Sequence, residues 1–241
     1  MKNIEKWLPS RVKRDSQASS FVIDRSKIYA GSLHVSEIQW RCYESVFLKY
    51  CKGKMLDCGC GNVPYFEMLK QQVTTHYCID WSEQPHIIEL LDEKIDLNKS
   101  FVLLEKEFDC ALVSDVLAHV KNPSSLIADI SMHLKVNGHL ILTTPFVYWM
   151  SEFPHEYFHP TEFALRELCR NAGLEVIQLE SYGGYPDVVL DTLNKGMTSR
   201  FSNRIFRMLA SVVKKTSWYD KSNEKTKYSY PIGYTMVARK L

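Results

Sequence analysis

Four short apolar stretches in the first half of the chain each run into an aspartate, and this repetition constrains the fold more than any other feature. Met55-Leu56 leads to Asp57, residues 75–79 to Asp80, Ile95 to Asp96, and the continuous run 108–114, which ends on Ser114, to Asp115. Short apolar runs bounded by turn formers read as buried strands. Helical spacing separates them: residues 35–50 place Val35, Ile38, Cys42, Val46, Phe47 and Tyr50 on one face, residues 65–72 and 87–91 suit short helices, and Asn122-Pro123 starts a helix over 122–134. Further strands are expected at 139–144, after an Asn137-Gly138 turn, at 174–179 and at 230–239, with a helix capped by Thr161 between them. Strands alternating with helices predict an α/β fold, a doubly wound and mostly parallel sheet covered on both faces. Ligands of such sheets sit beyond the carboxyl ends of the strands, so the aspartates would share one rim.

The first of these stretches continues as a turn. In KMLDCGCGNVPY, residues 54–65, Gly59 and Gly61 let the backbone approach a ligand before a helix begins. Asp80 follows Gly61 by 19 residues, close to the offset of about 20 at which a carboxylate reaches a ribose hydroxyl in nucleotide-binding βαβ units. Pro64 stands at the third glycine position of the dinucleotide fingerprint and has no N–H for a pyrophosphate, which counts against a nicotinamide dehydrogenase.

At 241 residues with net charge +2, the chain suits one domain with additions and does not suggest a nucleic-acid binder. Residues 1–35 lack periodicity and read as an arm or lid, with the main domain over 36–241. Residues 186–228 read as a basic helical insertion before the last strand: Met197, Phe201, Ile205, Met208, Leu209, Val212 and Val213 fall on one face, and Lys195, Arg200, Arg204, Arg207, Lys214 and Lys215 occupy the rest. Such a helix either packs on the domain as a substrate lid or lies on an anionic membrane surface. Seven cysteines without a paired framework, and no apolar run of membrane length, fit a reducing cytoplasm, with peripheral contact at the inner membrane face if the basic helix docks there.

The segment FVYWMSEFPHEYFHP, 146–160, is dense in aromatics and contains His155, Glu156 and His159. It matches the H-E-x-x-H zinc pattern, but Pro154 and Pro160 deny it the helix that would place both imidazoles on one face.

Taken together, LDCGCG (56–61), ID (79–80), DL (96–97), FDCALVSDVLAHV (108–120), HLILTTPF (139–146) and PHEYFHPTEFALRELCRNAGLEV (154–176) resemble the Rossmann-type, class I S-adenosylmethionine-dependent methyltransferases, and more narrowly the bacterial members associated with polysaccharide biosynthesis. The resemblance spans about residues 7–241 and implies a seven-stranded sheet with an antiparallel last strand. It implies S-adenosylmethionine as cofactor: Gly59 and Gly61 against its methionine end, Asp57 toward its ammonium, Asp80 on the ribose, Asp96 and Leu97 at the adenine, Ser114 and Asp115 near the sulfonium. The chain departs from the family at Val63, where a third glycine is usual, at Ala118-His119 for Glu-His, at Val136-Asn137-Gly138 for Pro-Gly-Gly, and at His159 for an arginine. Methyl transfer to oxygen on a small-molecule or glycan acceptor, lipid-linked if the basic helix meets a membrane, is the expected activity, with His155 or His159 as base and Glu156 orienting it. The rival outside the enzymes is a non-catalytic protein that keeps the fold and the cofactor site.

Overall fold

The structure, a computed structural model, describes residues 1–15, 20–197 and 199–241. Residues 16–19 of the expected arm and the side chain of Arg200 lie outside the described residues.

Two three-residue strands, β1 (Val12–Arg14) and β2 (Phe21–Ile23), pair antiparallel as a ribbon of their own. Then come α1 (Leu33–Tyr50), β3 (Gly53–Cys58), α2 (Phe66–Leu69), β4 (Val73–Asp80), α3 (Pro85–Ile88), β5 (Glu93–Lys94) and β6 (Phe108–Ser114). The second half runs α4 (Pro123–His133), β7 (Leu134–Pro145), α5 (Glu162–Asn171), β8 (Leu174–Tyr182), α6 (Tyr185–Gly196), α7 (Arg200–Val213), α8 (Ser217–Thr226) and β9 (Gly233–Lys240). The main sheet has seven strands in the order β5-β4-β3-β6-β7-β9-β8. Strands β3 to β7 are parallel to their neighbours, and β9 runs antiparallel between β7 and β8.

Why the strands read as continuous apolar runs is visible in the packing. Leu56, Ala111, Val113, Leu140, Leu142, Met236 and Ala238 face one core, which α4 and α5 cover with Leu126, Ile127, Ile130, Leu165 and Cys169. Met55, Cys110, Leu112, Ile141 and Val237 face the other, covered by Val35, Tyr43, Val46 and Phe47 of α1. Successive strand residues thus alternate between two buried layers, and neither face can be polar.

Local signals set several boundaries. The Asn122 side chain accepts from Ser125 N at 3.2 Å and starts α4, and Thr161 does the same for Ala164 N at 3.2 Å in α5. One expected turn is not a turn. Asn137-Gly138 lies inside β7, where Asn137 takes φ 64° and the pairing with β6 shifts between Phe108 and Cys110. A Cβ on Gly138 would meet Lys135 O at 2.8 Å, so the pair forms a bulge within one strand of 12 residues. The basic segment, expected as a helical insertion over 186–228, is built as three helices, α6, α7 and α8.

The order of strands reverses between β3 and β6, since the chain moves outward through β4 and β5 and then returns. At such a reversal the loops beyond the two strands diverge and leave a crevice. The glycine turn and Asp115 stand there.

Candidate functional site

Beyond β3 the backbone doubles back. Gly59 N and Cys60 N both donate to Ile79 O, at 2.8 and 3.3 Å, so the turn is bound to the end of β4. Gly59 has φ +69°, and a Cβ there would meet Val116 Cγ2 at 2.5 Å; its glycine is needed by the protein's own packing. Gly61 differs. Its φ is +51° and nothing lies within 4 Å of where a Cβ would stand, so open space faces it. Its N–H donates to Asp80 Oδ2 at 2.9 Å, while Asp80 Oδ1 accepts from Ser82 N at 3.1 Å. The turn is therefore held against the carboxylate expected to take ribose hydroxyls. Val63, at the missing third glycine, takes φ 49° with its side chain buried among Cys60, Phe66 and Cys78. A β-branched residue there is strained by about 1–3 kcal/mol, which its burial and Trp7 packed on Phe66 must offset.

Asp57 is buried, and its Oδ2 is 2.8 Å from His76 Nε2 on the neighbouring strand. Burial alone would push the His76 imidazolium down, but the Cys78 sulfur and Asp57 outweigh it and hold the ring charged up to about 10. Asp57, His76 and Cys78 bring donor atoms within 4.8 Å of one another, the one such grouping among the described residues. The Asp–His hydrogen bond commits Asp57 Oδ2 and His76 Nε2 to each other, while His76 Nδ1 is buried without a partner. One Asp57 oxygen is thus committed to the fold.

Asp115, at φ 57° just past β6, lies at the centre of a polar network. Tyr43 Oη donates to Asp115 Oδ1 at 2.9 Å and Thr143 Oγ1 to the same oxygen at 3.2 Å. Tyr43 Oη meets Tyr182 Oη at 3.2 Å, Tyr182 meets Gln39 Nε2 at 3.3 Å, and Gln39 Oε1 accepts from Arg11 at 2.9 Å. Ser114 joins through Thr143 at 3.2 Å. Burial pushes the Asp115 carboxyl up, with Arg11, Tyr43 and Thr143 pulling the other way. Above this network is a cavity of about 460 Å³ bounded by Gly59, Gly61 and Asn62 on one side and by Arg11, Lys27 and Tyr148 on the other. Arg11 and Lys27 belong to the arm, and nothing in the sequence of the arm singled them out. Gln39 and Tyr43 did leave a signal: they are polar groups at i and i+4 on the face of α1 that turns inward.

The other expected residues are placed apart from this cavity. Asp96 accepts from Asn98 N at 3.0 Å and pairs with Lys99 at 3.4 Å, and Leu97 is packed into the core beside Phe101. His155, Glu156 and His159 sit on an irregular segment laid across the loop after β6, where Tyr157 N donates to Ala118 O at 2.7 Å and the His155 carbonyl meets His119 Nδ1 at 2.8 Å. The His155 ring stands edge-on to Trp81, directly after Asp80, with centroids 5.3 Å apart. Glu156 does not orient His155. Its Oε1 meets His159 Nε2 at 2.8 Å and its Oε2 accepts from Ser151 N at 3.0 Å and Glu152 N at 3.3 Å, so it organises the loop and holds His159. The two imidazoles form no metal-ligating group, in keeping with the absence of a helix between them.

An S-adenosylmethionine-sized ligand fits what is present: open space over Gly61, an acceptor-only carboxylate at Asp80 beside it, and a crevice at the strand reversal. A family model described as a methyltransferase domain matches residues 45–179. Among solved structures, an S-adenosylmethionine dependent methyltransferase from Mesorhizobium loti superposes with a TM-score of 0.56 at 15% identity, covering 86% of this chain and 100% of that one. The [4+2]-cyclase SpnF gives 0.53 at 18% identity over 83% and 80% of the two chains. The StiE O-MT segment gives 0.52 at 15% over 85% and 73%. At these identities the likeness establishes the shared fold. No curated protein sequence matches the chain.

Proposed function

Because the chain belongs to the methyltransferase-domain family and is an S-adenosylmethionine-dependent methyltransferase, we propose that it methylates a hydroxyl of a small-molecule or glycan acceptor held in the cavity between the glycine turn and the arm. S-adenosylmethionine, when bound, supplies an electrophilic methyl group on a sulfonium. The observation that carries the proposal is the juxtaposition of Gly61, open on its outer side, with a cavity whose far wall is Arg11, Lys27 and Tyr148.

In this reading Gly59 and Gly61 give the methionine end its close approach, the free Asp57 oxygen takes the ammonium, and Asp80 accepts from the ribose. Asp96 and Leu97 border the adenine, and Ser114 and Asp115 form the floor. Alignment of two bound reactants is the main source of rate in a direct displacement, and the arm supplies the wall against which the acceptor is held. The acceptor proton passes to a base. His155, on Trp81 directly after Asp80, or His159, held by Glu156, is the assignment expected from the sequence, and it requires an acceptor that reaches from the cavity to that loop. Asp115 is a second, favoured by its hydrogen-bond network, whose Gln39 and Arg11 line the cavity, and by the burial that pushes its carboxyl up. Polysaccharide biosynthesis is the setting the sequence resemblance suggests, and the O-MT neighbour supports oxygen as the acceptor atom.

Calorimetric titration with S-adenosylhomocysteine tests the cofactor half: binding by the wild type, and loss of about tenfold or more in Asp80→Ala, where the carboxylate acceptor is gone. A protein that binds neither cofactor form would instead be the non-catalytic alternative. For the base, the rate–pH profile decides. His155→Ala or His159→Ala lowers turnover by about 10²-fold or more if either is the base, whereas Asp115→Asn abolishes the acid limb if the carboxylate is.

A further inference from the structure

The apolar face of α7 points away from the protein. Phe201, Ile205, Met208 and Val212 recur at the spacing of one helical stripe, with Leu209 at its edge, and they are 74%, 41%, 64%, 66% and 60% exposed. The opposite side of the same helix, marked by buried Ala210 and half-buried Phe206 and Val213, is the one turned inward, and α6 is its partner. A surface helix normally does the reverse, burying its apolar stripe and showing its polar one. Contiguous apolar surface of this kind on a folded chain marks a place where something else binds.

The charges around the stripe identify the partner. No aspartate or glutamate occurs between Asp191 and Asp220, whereas Lys195, Arg200, Arg204, Arg207, Lys214 and Lys215 do. Arg204 and Arg207 are exposed on the flank of α7, and Lys215 just past its end is exposed as well. A second copy of the chain docked face to face would bring these cations together with no acidic residue on the helix to answer them. Lys195 is already buried against Asp191, and a bilayer with anionic headgroups answers the exposed Arg204, Arg207 and Lys215 and accepts the stripe into its acyl boundary.

We propose that α7 is an interfacial helix that seats the protein on an anionic lipid bilayer, with Phe201, Ile205, Met208 and Val212 entering the headgroup–acyl boundary and Arg204 and Arg207 on the lipid phosphates. The position relative to the cavity gives this a purpose. Lys214, at the end of α7, lies among Glu37, Asp187, Arg41 and Arg25, and Ser36, beside Glu37 on α1, lines the cavity together with Lys27 and Tyr29. The helix that meets the bilayer is therefore next to the cavity mouth. Resting on the reading above, the acceptor class this suits is a hydroxyl of a lipid-linked molecule presented at the membrane surface.

The test is sedimentation of the full chain with vesicles of phosphatidylcholine alone or containing about 30 mol% phosphatidylglycerol. Binding is expected to the anionic vesicles, to weaken with salt, and to fall about tenfold or more in Phe201→Ser/Met208→Ser and in Arg204→Glu/Arg207→Glu. Both variants change exposed side chains, and circular dichroism together with homocysteine-analogue titration verifies that the fold and cofactor site persist. Wild-type protein that stays in the supernatant, or variants that bind as well as the wild type, would overturn the proposal. So would a dimer in sedimentation velocity that Phe201→Ser/Met208→Ser converts to monomer, since the face would then belong to a second copy. Vesicle binding is read without cofactor, so its loss leaves the methyl-transfer reading standing, and failed cofactor titration leaves the membrane reading standing.

Discussion

Two glycines two positions apart in the same turn, Gly59 and Gly61, are required for different reasons, and this separates stability from binding at single-residue resolution. Gly59→Ala forces a Cβ into the Val116 side chain as well as into a left-handed backbone, so it should lower folding stability by about 1–3 kcal/mol, read from urea denaturation. Gly61→Ala meets open space; its cost to the fold should be limited to the backbone conformation, about 1 kcal/mol, while affinity for S-adenosylhomocysteine drops by more than that. A Gly61→Ala protein that binds normally would remove this turn from the cofactor site. The His76–Asp57 pair makes a second residue-scale prediction. An imidazole charged up to about 10 in the fold but only to about 6.5 when unfolded loses stability as pH rises, while the Cys78 thiol beside it, pulled down against its burial to about 7 by Cys60 and His76, gains stability between about 7 and 9. The melting temperature of the wild type should therefore fall between about pH 6.5 and 7 and again between about 9 and 10, staying level in between, and His76→Gln should remove both falls. At this scale the sequence exposed Gly59, Gly61 and Asp80, because backbone conformation and carboxylate chemistry restrict those positions to few residue types. It did not expose Arg11 or the engagement of Asp57 by His76. Those depend on which residues of distant segments meet, and a one-dimensional pattern carries no record of that.

At the scale of elements, the central strands β3, β6 and the second half of β7 were legible because they are buried on both faces, α1 because of its apolar spacing, and α4 and α5 because spacing and caps agree. Asn122→Ala is expected to cost about 1 kcal/mol through loss of the α4 cap, measurable as a lowered denaturation midpoint with an unchanged slope. The two failures are physical rather than statistical. Asn137-Gly138 has the composition of a turn, yet β6 pairs with β7 at Leu134 before it and again from His139 after it, so the pair is absorbed as a bulge within one strand. The amphipathic pattern after Lys195 was correctly helical, but periodicity gives the angle between the two faces and not the direction either one points. Only the surrounding elements decide that, and here α6 takes the less apolar side.

Seen as a whole molecule, the sheet places the glycine turn at its strand reversal while the arm, the inner face of α1 and Tyr148 build the opposite wall of the cavity, so in the proposed reading the arm matters more for the acceptor than the sheet does. The fold class was readable from the alternation of strands and helices; the cavity was not, because its walls come from parts of the chain without periodic signal. Among the described residues no helix is long and apolar enough to cross a membrane. The position of β9 has a further consequence, in the order of events during synthesis. Gly233–Lys240 completes the sheet by filling the gap between β7 and β8, and β8 has no other strand to pair with. Until those eight residues have left the ribosome, β8 cannot join the sheet, and the cores behind Met236, Val237 and Ala238 stay open. Emergence of α7, with its outward apolar stripe, precedes that moment. The nascent chain therefore displays its most adhesive segment while the catalytic domain is still unfinished, and a chain truncated at Pro231 should bind a hydrophobic dye and lack the near-ultraviolet dichroism of the complete protein.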